Sequence, residues 1–351
     1  MTAIPDPDAN LSLLVHPHQL EVQEFASYAL VIDARPLADF VVDHIPGAVC
    51  LPVGQQRRDG TEMPFELQGV LGSLKPTDPI LVYCGRGGLD SLVWAELLRR
   101  AGWTVDVLPG GWATYQRWVA AGLEILPRSM RFLRLCGAPG SATARVLDAL
   151  RSTGHQVIDL MALCDKPIAP GVPLCADVRL WQGGFESRLL DAMRILDVGR
   201  DVWIDGSVPA FCDLQLPPAL REALGRARVV AVDVPVAERA HAWAEDLRAA
   251  GMDGEQLISV IEEVTPAPEA TVVDQWQRLL AASGVEALLA TLVDTFLDRR
   301  FGVPGDPGAT GPKAAALRIE SLASAALMAA LSAWCAHELG GSPGHSGSIR
   351  P

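Results

Sequence analysis

The stretch ILVYCGRGGLDS, residues 80–91, decides the fold of the first part of the chain. Its apolar start predicts a buried strand that ends at Cys84, and the stretch from Leu89 to Gly102 has helical spacing. The three glycines and the arginine between them predict a tight turn from the strand into the helix. Because parallel α/β sheets bind ligands at the carboxyl ends of their strands, Cys84 is a candidate functional residue.

The loop after Cys84 has the composition of an anion-binding turn. Glycines let backbone N–H groups point toward the sulfur, and the N-terminus of a helix adds partial positive charge. Arg86 contributes a full positive charge. Each feature favours a thiolate or persulfide on Cys84. The sequence therefore favours a functional cysteine over the alternative, a buried thiol beside a turn.

Strand and helix signals alternate along most of the chain, which predicts an α/β fold. Over residues 10–125 the alternation predicts a parallel sheet with flanking helices, and over 127–251 it predicts a second α/β domain. Residues 252–339 have helical patterns, and the tail 340–351 is expected to be disordered.

The composition limits the class of protein. The chain has 351 residues, 49% of them hydrophobic and 20% charged, which predicts a sizeable core. The net charge of −13 argues against a general nucleic-acid binder, although it allows a local basic groove. The seven cysteines are scattered without CxxC spacing, which argues against a disulfide framework and against a metal site. With no signal peptide and no membrane-spanning run in sight, we expect a cytoplasmic protein.

A second glycine-rich turn, in LCGAPGSATA (135–144), lies between a predicted strand and a predicted helix, where a P-loop would lie. The residues that fit a P-loop turn are Gly137, Gly140 and Ser141. Ala142, Thr143 and Ala144 stand where G-x-x-x-x-G-K-[ST] has its last glycine, its lysine and its hydroxyl. We therefore predict a degenerate P-loop that does not bind nucleoside triphosphates.

Three stretches make the first domain resemble a rhodanese domain. Asp33 and Arg35 form a D-x-R motif after the first strand, and HIPGA (44–48) precedes the second. GGWATY (110–115) resembles the closing motif of that family, and the Cys84 loop lies between them. The resemblance implies that Asp33, Arg35 and His44 fix the fold and do not act in catalysis.

A rhodanese domain followed by a P-loop-like domain is similar to the bacterial tRNA 2-selenouridine synthases. Their cysteine loop reads C-x-R-G-G-x-R-S. The residues that match it are Cys84, Arg86, Gly87, Gly88 and Ser91. QGGFE (182–186) resembles the Q-x-x-F-E motif of the family. The resemblance extends over residues 10–250 in the same order.

This resemblance implies a function. The family replaces the sulfur of wobble 2-thiouridine in tRNA by selenium, through an S-geranylated intermediate, with geranyl diphosphate and selenophosphate as co-substrates and no resident cofactor. It implies tRNA as a partner, bound through a local basic groove, and a small anionic chalcogen donor. Cys84 would carry the chalcogen. The residues implied to hold an anion beside it are Arg86, Gly87, Gly88 and Ser91. Those implied to line a diphosphate or tRNA-phosphate site are Gly137, Gly140 and Ser141.

Two departures from the family pattern remove positive charge. Asp90 replaces an arginine that could hold an oxyanion through two hydrogen bonds, and Thr143 replaces a lysine. If the anion chemistry survives, Asp90 must turn away from Cys84 or pair with an arginine such as Arg86. Candidate replacement cations beside the second turn are Arg128, Arg131, Arg134 and Arg145.

Three hypotheses follow. The protein is a chalcogen transferase that acts on tRNA, or a rhodanese-type small-molecule sulfurtransferase that uses Cys84 alone, or a non-catalytic protein that has lost both anion sites. The extent of the resemblance favours the first hypothesis, and the two lost cations favour the third.

Overall fold

A computed structural model describes residues 27–53, 65–164, 182–206, 214–262, 267–301 and 316–339. The chain divides into two compact units. The first comprises residues up to Leu126 together with Arg179–Ile195, and the second comprises Pro127–Val178 and the residues from Leu196 onward. Both units contain a parallel sheet with helices, so the predicted α/β fold is confirmed.

The first unit has a four-stranded parallel sheet. Its strands are β1 (Leu30–Asp33), β2 (Val49–Cys50), β3 (Ile80–Tyr83) and β4 (Val105–Val107), in the order β2-β1-β3-β4. Its helices are α1 (Leu37–Val42), α2 (Phe65–Leu71), α3 (Leu89–Arg100) and α4 (Gly111–Ser129), the last of which runs into the second unit. All residues of β1 and β3 are buried, as expected for apolar central strands of a parallel sheet. The strand ending before Cys84 is therefore central to the fold.

One helix of the first unit comes from later in the chain. The helix α6 (Gln182–Arg194) belongs to the stretch 127–251 that the sequence grouped with the second domain. It packs in the first unit because one face is apolar. The buried residues of that face include Phe185, Leu189, Leu190 and Met193. A Cβ atom on Gly122 of α4 would lie 2.5 Å from Leu190 Cδ1, so α4 and α6 approach closely. This return of the chain depends on contacts distant in sequence, which motif spacing does not reveal.

The second unit has a five-stranded parallel sheet. Its strands are β5 (Arg131–Gly137), β6 (Gln156–Ile158), β7 (Asp201–Asp205), β8 (Arg228–Asp233) and β9 (Leu317–Arg318), in the order β6-β7-β5-β8-β9. The chain leaves β5 for β6 and β7 on one side and then crosses to β8 on the other. The carboxyl end of β5 is therefore a topological switch point, and the second glycine-rich turn lies there.

The remaining helices belong to the second unit. They are α5 (Thr143–Ser152), α7 (Pro218–Arg226), α8 (Val236–Ala249), α9 (Gly254–Glu262), α10 (Ala270–Thr291), α11 (Asp298–Phe301) and α12 (Ser324–Glu338), with a 3-10 turn at Ala162–Cys164 and a π-helical segment at Leu292–Leu297. The region predicted as helical, 252–339, also contains the edge strand β9. Leu317 of β9 and Trp334 of α12 share one hydrophobic cluster with Leu133 of β5. The C-terminal region therefore completes the core of the second unit.

The stretch Ala270–Leu297 passes a length and composition test for a membrane span, with a mean hydropathy of 1.5, and no other helix among the described residues does. It is weak evidence for a membrane segment. The stretch is interrupted at Gly284, where φ is 82°, and Val273, Trp276 and Leu288 are buried in a cluster with Trp243 of α8. The tail predicted to be disordered, 340–351, lies outside the described residues.

Candidate active site around Cys84

Cys84 follows β3 directly and is buried, with 3% of its surface exposed. The backbone N–H of Gly88 donates a hydrogen bond to Cys84 Sγ at 3.1 Å. Ser91 Oγ lies 3.3 Å from the same sulfur. The structure therefore brings together three of the predicted site residues, Cys84, Gly88 and Ser91, because the turn between β3 and α3 folds the start of the helix back onto the strand end.

The hydrogen bonds of Ser91 decide where the thiol proton lies. Its hydroxyl donates to the carbonyl of Gly88 at 2.9 Å, and a hydroxyl has a single proton to donate. In this arrangement the Cys84 thiol donates to Ser91 Oγ. For an anionic sulfur the hydroxyl can rotate and donate to Sγ instead, beside the N–H of Gly88. The site therefore offers hydrogen bonds to both forms of the sulfur.

Two glycines, one in the Cys84 loop and one at the start of α4, let these segments approach closely. Gly111 has φ +55°, and a Cβ atom on it would lie 2.1 Å from the Cys84 carbonyl oxygen. Gly87 has φ +70°, and a Cβ atom on it would lie 2.7 Å from the backbone nitrogen of Gly110. Gly111 of the closing motif and Gly87 of the loop are therefore required by the close approach of the two backbone segments. The sequence identified this motif without revealing that contact.

Arg86 and Asp90 lie on the exposed side of the loop. Asp90 is in the first turn of α3, where its carboxylate interacts favourably with the positive end of the helix dipole. Among the described residues, neither side chain forms an ion pair, so the pairing of Asp90 with Arg86 is not formed. Leu89, between the turn and Asp90, is 75% exposed. The anion-binding roles of Arg86, Gly87, Gly88 and Ser91 stay predictions.

A buried polar network connects the D-x-R motif to the loop. Arg35 Nη2 donates to Asp33 Oδ2 at 2.7 Å, and the Tyr83 hydroxyl donates to the same oxygen at 2.6 Å. Burial, with the Asp33 carboxylate, raises the pKa of Tyr83 well above its usual range, so the phenol stays a donor. The Arg35 guanidinium lies 4.0 Å from the ring centroid of Trp112, and the backbone N–H of Trp112 donates to the Cys84 carbonyl at 2.8 Å. This geometry suits a fold-fixing role for Asp33 and Arg35.

The neighbouring residues Asp43 and His44 also make structural contacts. The Nδ1 atom of His44 lies 2.9 Å from the carbonyl oxygen of Phe40, and their rings stack at 4.0 Å. Ser187 of α6 donates to Asp43 Oδ2 at 3.2 Å. Burial raises the pKa of Asp43 to about 6, although the Ser187 hydroxyl and the backbone of His44 oppose the shift. The hydrogen bond between Ser187 and Asp43 connects α6 to the rest of the first unit.

The second glycine-rich turn, GAPGS (137–141), has left-handed backbone within it and directly after it. Gly140 has φ 78°, and Ala142, at the N-cap of α5, has φ 50° and ψ 42° in the left-handed region. Ala142 occupies the position where the P-loop pattern has its last glycine. The Thr143 hydroxyl, at the lysine position, donates to Asp205 Oδ2 at 3.4 Å. The turn therefore has a carboxylate where a phosphate-binding cation would be expected.

The cation that contacts this turn is Arg239 of α8. Its Nη1 donates to the Pro139 carbonyl at 3.1 Å, and the guanidinium binds Asp298 through two hydrogen bonds of 2.8 and 2.6 Å. Among the arginines that the sequence offered instead, Arg145 pairs with Glu245 and Asp246, Arg131 pairs with Asp201, and Arg134 donates to the Gly206 carbonyl.

The described parts of the chain contain no group of three or more His, Cys, Asp or Glu side chains that could hold a metal ion. Cys50 is half-buried at the end of β2, next to Asp33 in register. Side chains alternate along a strand, so Cys50 faces the side of the sheet opposite to Leu51, which shares a cluster with Cys84. The two cysteines therefore lie on opposite faces.

Comparison with protein families matches residues 18–117 to the rhodanese-like domain. The first unit contains a rhodanese-like domain. The match includes the D-x-R motif, the Cys84 loop and the closing motif GGWATY, so the resemblance derived from those motifs is confirmed.

Curated relatives are similar over a longer stretch. The chain is 25% identical to the tRNA 2-selenouridine synthase of Nitrosomonas europaea over 157 residues, which are 38% of this chain and 40% of that protein. It is 22% identical to the tRNA 2-selenouridine synthase of Nitrosomonas eutropha over 163 residues, 40% of this chain and 42% of that protein. The matched part is thus less than half the length of these relatives. The resemblance to this synthase family is confirmed, and the identity shows a divergent relative.

Solved structures give matches to smaller parts of the chain. The Rhodanese_3-like domain of a protein from Anabaena sp. is 28% identical and covers 25% of this chain and 90% of its own, with a TM-score of 0.19. The BH2092 protein of Bacillus halodurans is 21% identical and covers 25% of this chain and 56% of its own, with a TM-score of 0.20.

Proposed function

We propose that this protein transfers sulfur- or selenium-containing groups to tRNA, with Cys84 as the residue that carries the chalcogen. The observation that carries the proposal is the hydrogen bond of 3.1 Å from the Gly88 N–H to Cys84 Sγ, at a strand end in a rhodanese-like domain. The similarity to tRNA 2-selenouridine synthases supports tRNA as the substrate.

The finer proposal is the reaction of that family. The protein replaces the sulfur of wobble 2-thiouridine by selenium from selenophosphate, through an S-geranylated intermediate formed with geranyl diphosphate. tRNA binds through a local basic groove, and the protein acts in the cytoplasm. The GAPGS turn is the proposed site for the diphosphate or a tRNA phosphate, with Gly137, Gly140 and Ser141 lining it.

The role of the loop is to stabilise negative charge on sulfur. A thiolate or persulfide on Cys84 accepts hydrogen bonds from the Gly88 N–H and from the rotated Ser91 hydroxyl, and charge-assisted hydrogen bonds are stronger than neutral ones. The first-turn amides of α3 add the positive end of a helix dipole. These donors lower the free energy of the charged intermediate without a metal ligand set.

The test uses the full chain and tRNA that contains 2-thiouridine. After incubation with selenophosphate and geranyl diphosphate, the tRNA is digested to nucleosides, which are separated and identified by mass spectrometry. We expect selenium in the wobble nucleoside with the wild type and at least a hundredfold less with Cys84→Ser. The matched control is Cys50→Ser, which removes the half-buried thiol on the other face and should keep most activity. Equal selenium incorporation by Cys84→Ser would contradict the role of Cys84.

A small-molecule sulfurtransferase is the second candidate, because the hydrogen-bond partners that the structure describes for Cys84, Gly88 and Ser91, lie in the first unit. Transfer from thiosulfate to cyanide needs only that unit. Thiocyanate formation without any change in tRNA would favour this function. Absence of both activities would favour the non-catalytic hypothesis, for which the charge lost at Asp90 and Thr143 is the supporting observation.

A further inference from the structure

The proposed function requires positive charge near Cys84, because thiosulfate and selenophosphate are anions. The synthase pattern places an arginine in the loop for this purpose, and Asp90 stands there instead. Asp90 is exposed and, within the described ranges, forms no ion pair that would mask its charge. A cation from another element must therefore offset it.

Arg117 lies on the part of α4 that approaches the loop. Gly110 directly precedes α4, and Thr114 and Arg117 lie one turn apart on the helix. A Cβ atom on Gly110 would lie 2.4 Å from Thr114 Oγ1 and 3.8 Å from Arg117 Nη2. Gly110 in turn contacts the loop, since a Cβ atom on Gly87 would lie 2.7 Å from its nitrogen. The Arg117 guanidinium thus lies beside Gly110, whose backbone approaches the Cys84 loop.

The charge of Arg117 is not neutralised by a neighbour. Its Nη2 donates to the Thr114 hydroxyl at 2.9 Å, which orients the guanidinium without cancelling its charge. In the part of the chain that the structure describes, no carboxylate pairs with Arg117 or with Arg86, and both side chains are exposed. Most other arginines near the sheets are paired with acids or carbonyls, such as Arg35 with Asp33.

We propose that Arg117 is a specificity-determining residue of the Cys84 site, which with Arg86 selects anionic donors in place of the arginine lost at Asp90. The inference rests on the proposed function, in which Cys84 accepts the chalcogen. With thiosulfate, the Cys84 thiolate attacks the outer sulfur and the S–S bond of thiosulfate breaks. Sulfite leaves with the bonding electron pair, and Cys84 becomes a persulfide. The two guanidiniums attract the donor and the departing sulfite.

The experiment compares two alkylating reagents on Cys84 in the full-length protein. Iodoacetate and iodoacetamide both form a C–S bond with the thiolate and release iodide, but only iodoacetate is an anion. The ratio of their rates, measured by mass spectrometry of the Cys84 peptide, therefore reports the charge that an incoming reagent meets. It does so whether or not the protein transfers sulfur.

We expect Arg117→Gln to lower the iodoacetate-to-iodoacetamide rate ratio about fivefold, the size expected for one partly screened charge nearby. Arg117→Lys keeps the charge and should keep the ratio within about twofold. Asp90→Asn should raise it. The matched control is Arg100→Gln, which removes an exposed arginine that pairs with Glu96 in α3.

The outcomes separate this proposal from the proposed function. An unchanged ratio in Arg117→Gln overturns the role of Arg117, and so does a wild-type Cys84 that neither reagent reaches. A lowered ratio upholds it. If that lowered ratio is accompanied by a higher KM for selenophosphate at constant kcat in the tRNA assay, both proposals stand. A lowered ratio with no transfer to cyanide or tRNA leaves Arg117 as an anion-selecting residue of a protein that is not a transferase.

Discussion

The two glycine-rich turns of this protein occupy equivalent places in their sheets, but they differ in whether the nearby arginines are paired with carboxylates. Each follows a central parallel strand and leads into a helix, and each has lost one cation of the synthase pattern. Around Cys84, the Gly88 N–H points at the sulfur, and Arg86 and Arg117 form no ion pair among the described residues. At GAPGS, the contacting Arg239 is 5% exposed and is held by Asp298.

This difference teaches that losing one motif residue has no fixed consequence. In the first turn Asp90 stands at the position of the arginine, and among the described residues no carboxylate pairs with the nearby Arg86 and Arg117. In the second turn the lost lysine is accompanied by contacts within the chain, because the Thr143 hydroxyl binds Asp205 and the arginine binds Asp298. An anion entering the second turn would have to compete with two carboxylates of the protein itself.

The largest expected effect comes from filling the space between the Cys84 loop and α4. Gly111→Ala places a Cβ atom 2.1 Å from the Cys84 carbonyl oxygen at a φ of +55°. We expect it to lower the free energy of unfolding by about 3–5 kcal/mol, because the backbone has to move. The measurement is the urea midpoint of the first unit, followed by hydrogen exchange of the β3 amides.

The control for this prediction is Gly85→Ala, the same chemical change next to Cys84. Gly85 has no atom within 4 Å of the position a Cβ would take, and its φ lies outside the left-handed region. Its effect should stay within about 0.5 kcal/mol. Equal effects of the two substitutions would mean that the loop is not clamped by α4.

A smaller effect is expected from releasing the arginine at the second turn. Asp298→Asn removes the negative charge that pairs with Arg239. The side chain of Asp298 is 25% exposed and that of Arg239 is 6% exposed. We expect a loss of about 2–3 kcal/mol in the stability of the second unit, below the range for fully buried pairs because Asp298 is partly hydrated. Chemical denaturation of Asp298→Asn and of the wild type measures this loss of stability.

The matched substitution is Asp246→Asn, which breaks a pair with Arg145 in which both side chains are about one-third exposed. Exposed pairs contribute little, so the loss should be below about 1 kcal/mol. If both substitutions cost the same, Asp298 does not brace the GAPGS turn, and the contrast between the two turns loses its basis.

The sequence predicted those features of the site that depend on neighbours in the chain. The end of β3 at Cys84, the turn and the start of α3 lie within twelve residues or so, and their spacing alone indicates them. The α/β fold and the rhodanese-like domain could be predicted for the same reason, since alternating strands and helices leave a local pattern, and both predictions are confirmed.

The features that the sequence did not reveal join distant residues. The approach of Gly111 to Cys84, the packing of α6 in the first unit and the pair of Arg239 with Asp298 each join segments separated by at least one other element. The strand β9 was missed because it has only two residues, too few for a period to show. Such contacts are set by packing of the whole unit.

The smallest expected effect tests whether the second turn has kept the backbone of a glycine loop. Ala142 is the non-glycine residue with positive φ among those described, at φ 50° and ψ 42°. A Cβ atom in the left-handed region costs roughly 1 kcal/mol, and glycine is also a better N-cap than alanine. Ala142→Gly should therefore raise the stability of the second unit by about 0.5–1 kcal/mol, although greater freedom of the unfolded chain offsets part of the gain.

The same change two residues later, Ala144→Gly, lies in the exposed first turn of α5 and should lower stability by a similar amount. Denaturation midpoints of the two variants should thus shift in opposite directions. A loss of stability in both would mean that Ala142 is not strained, and the turn would then have left the P-loop conformation together with its lysine.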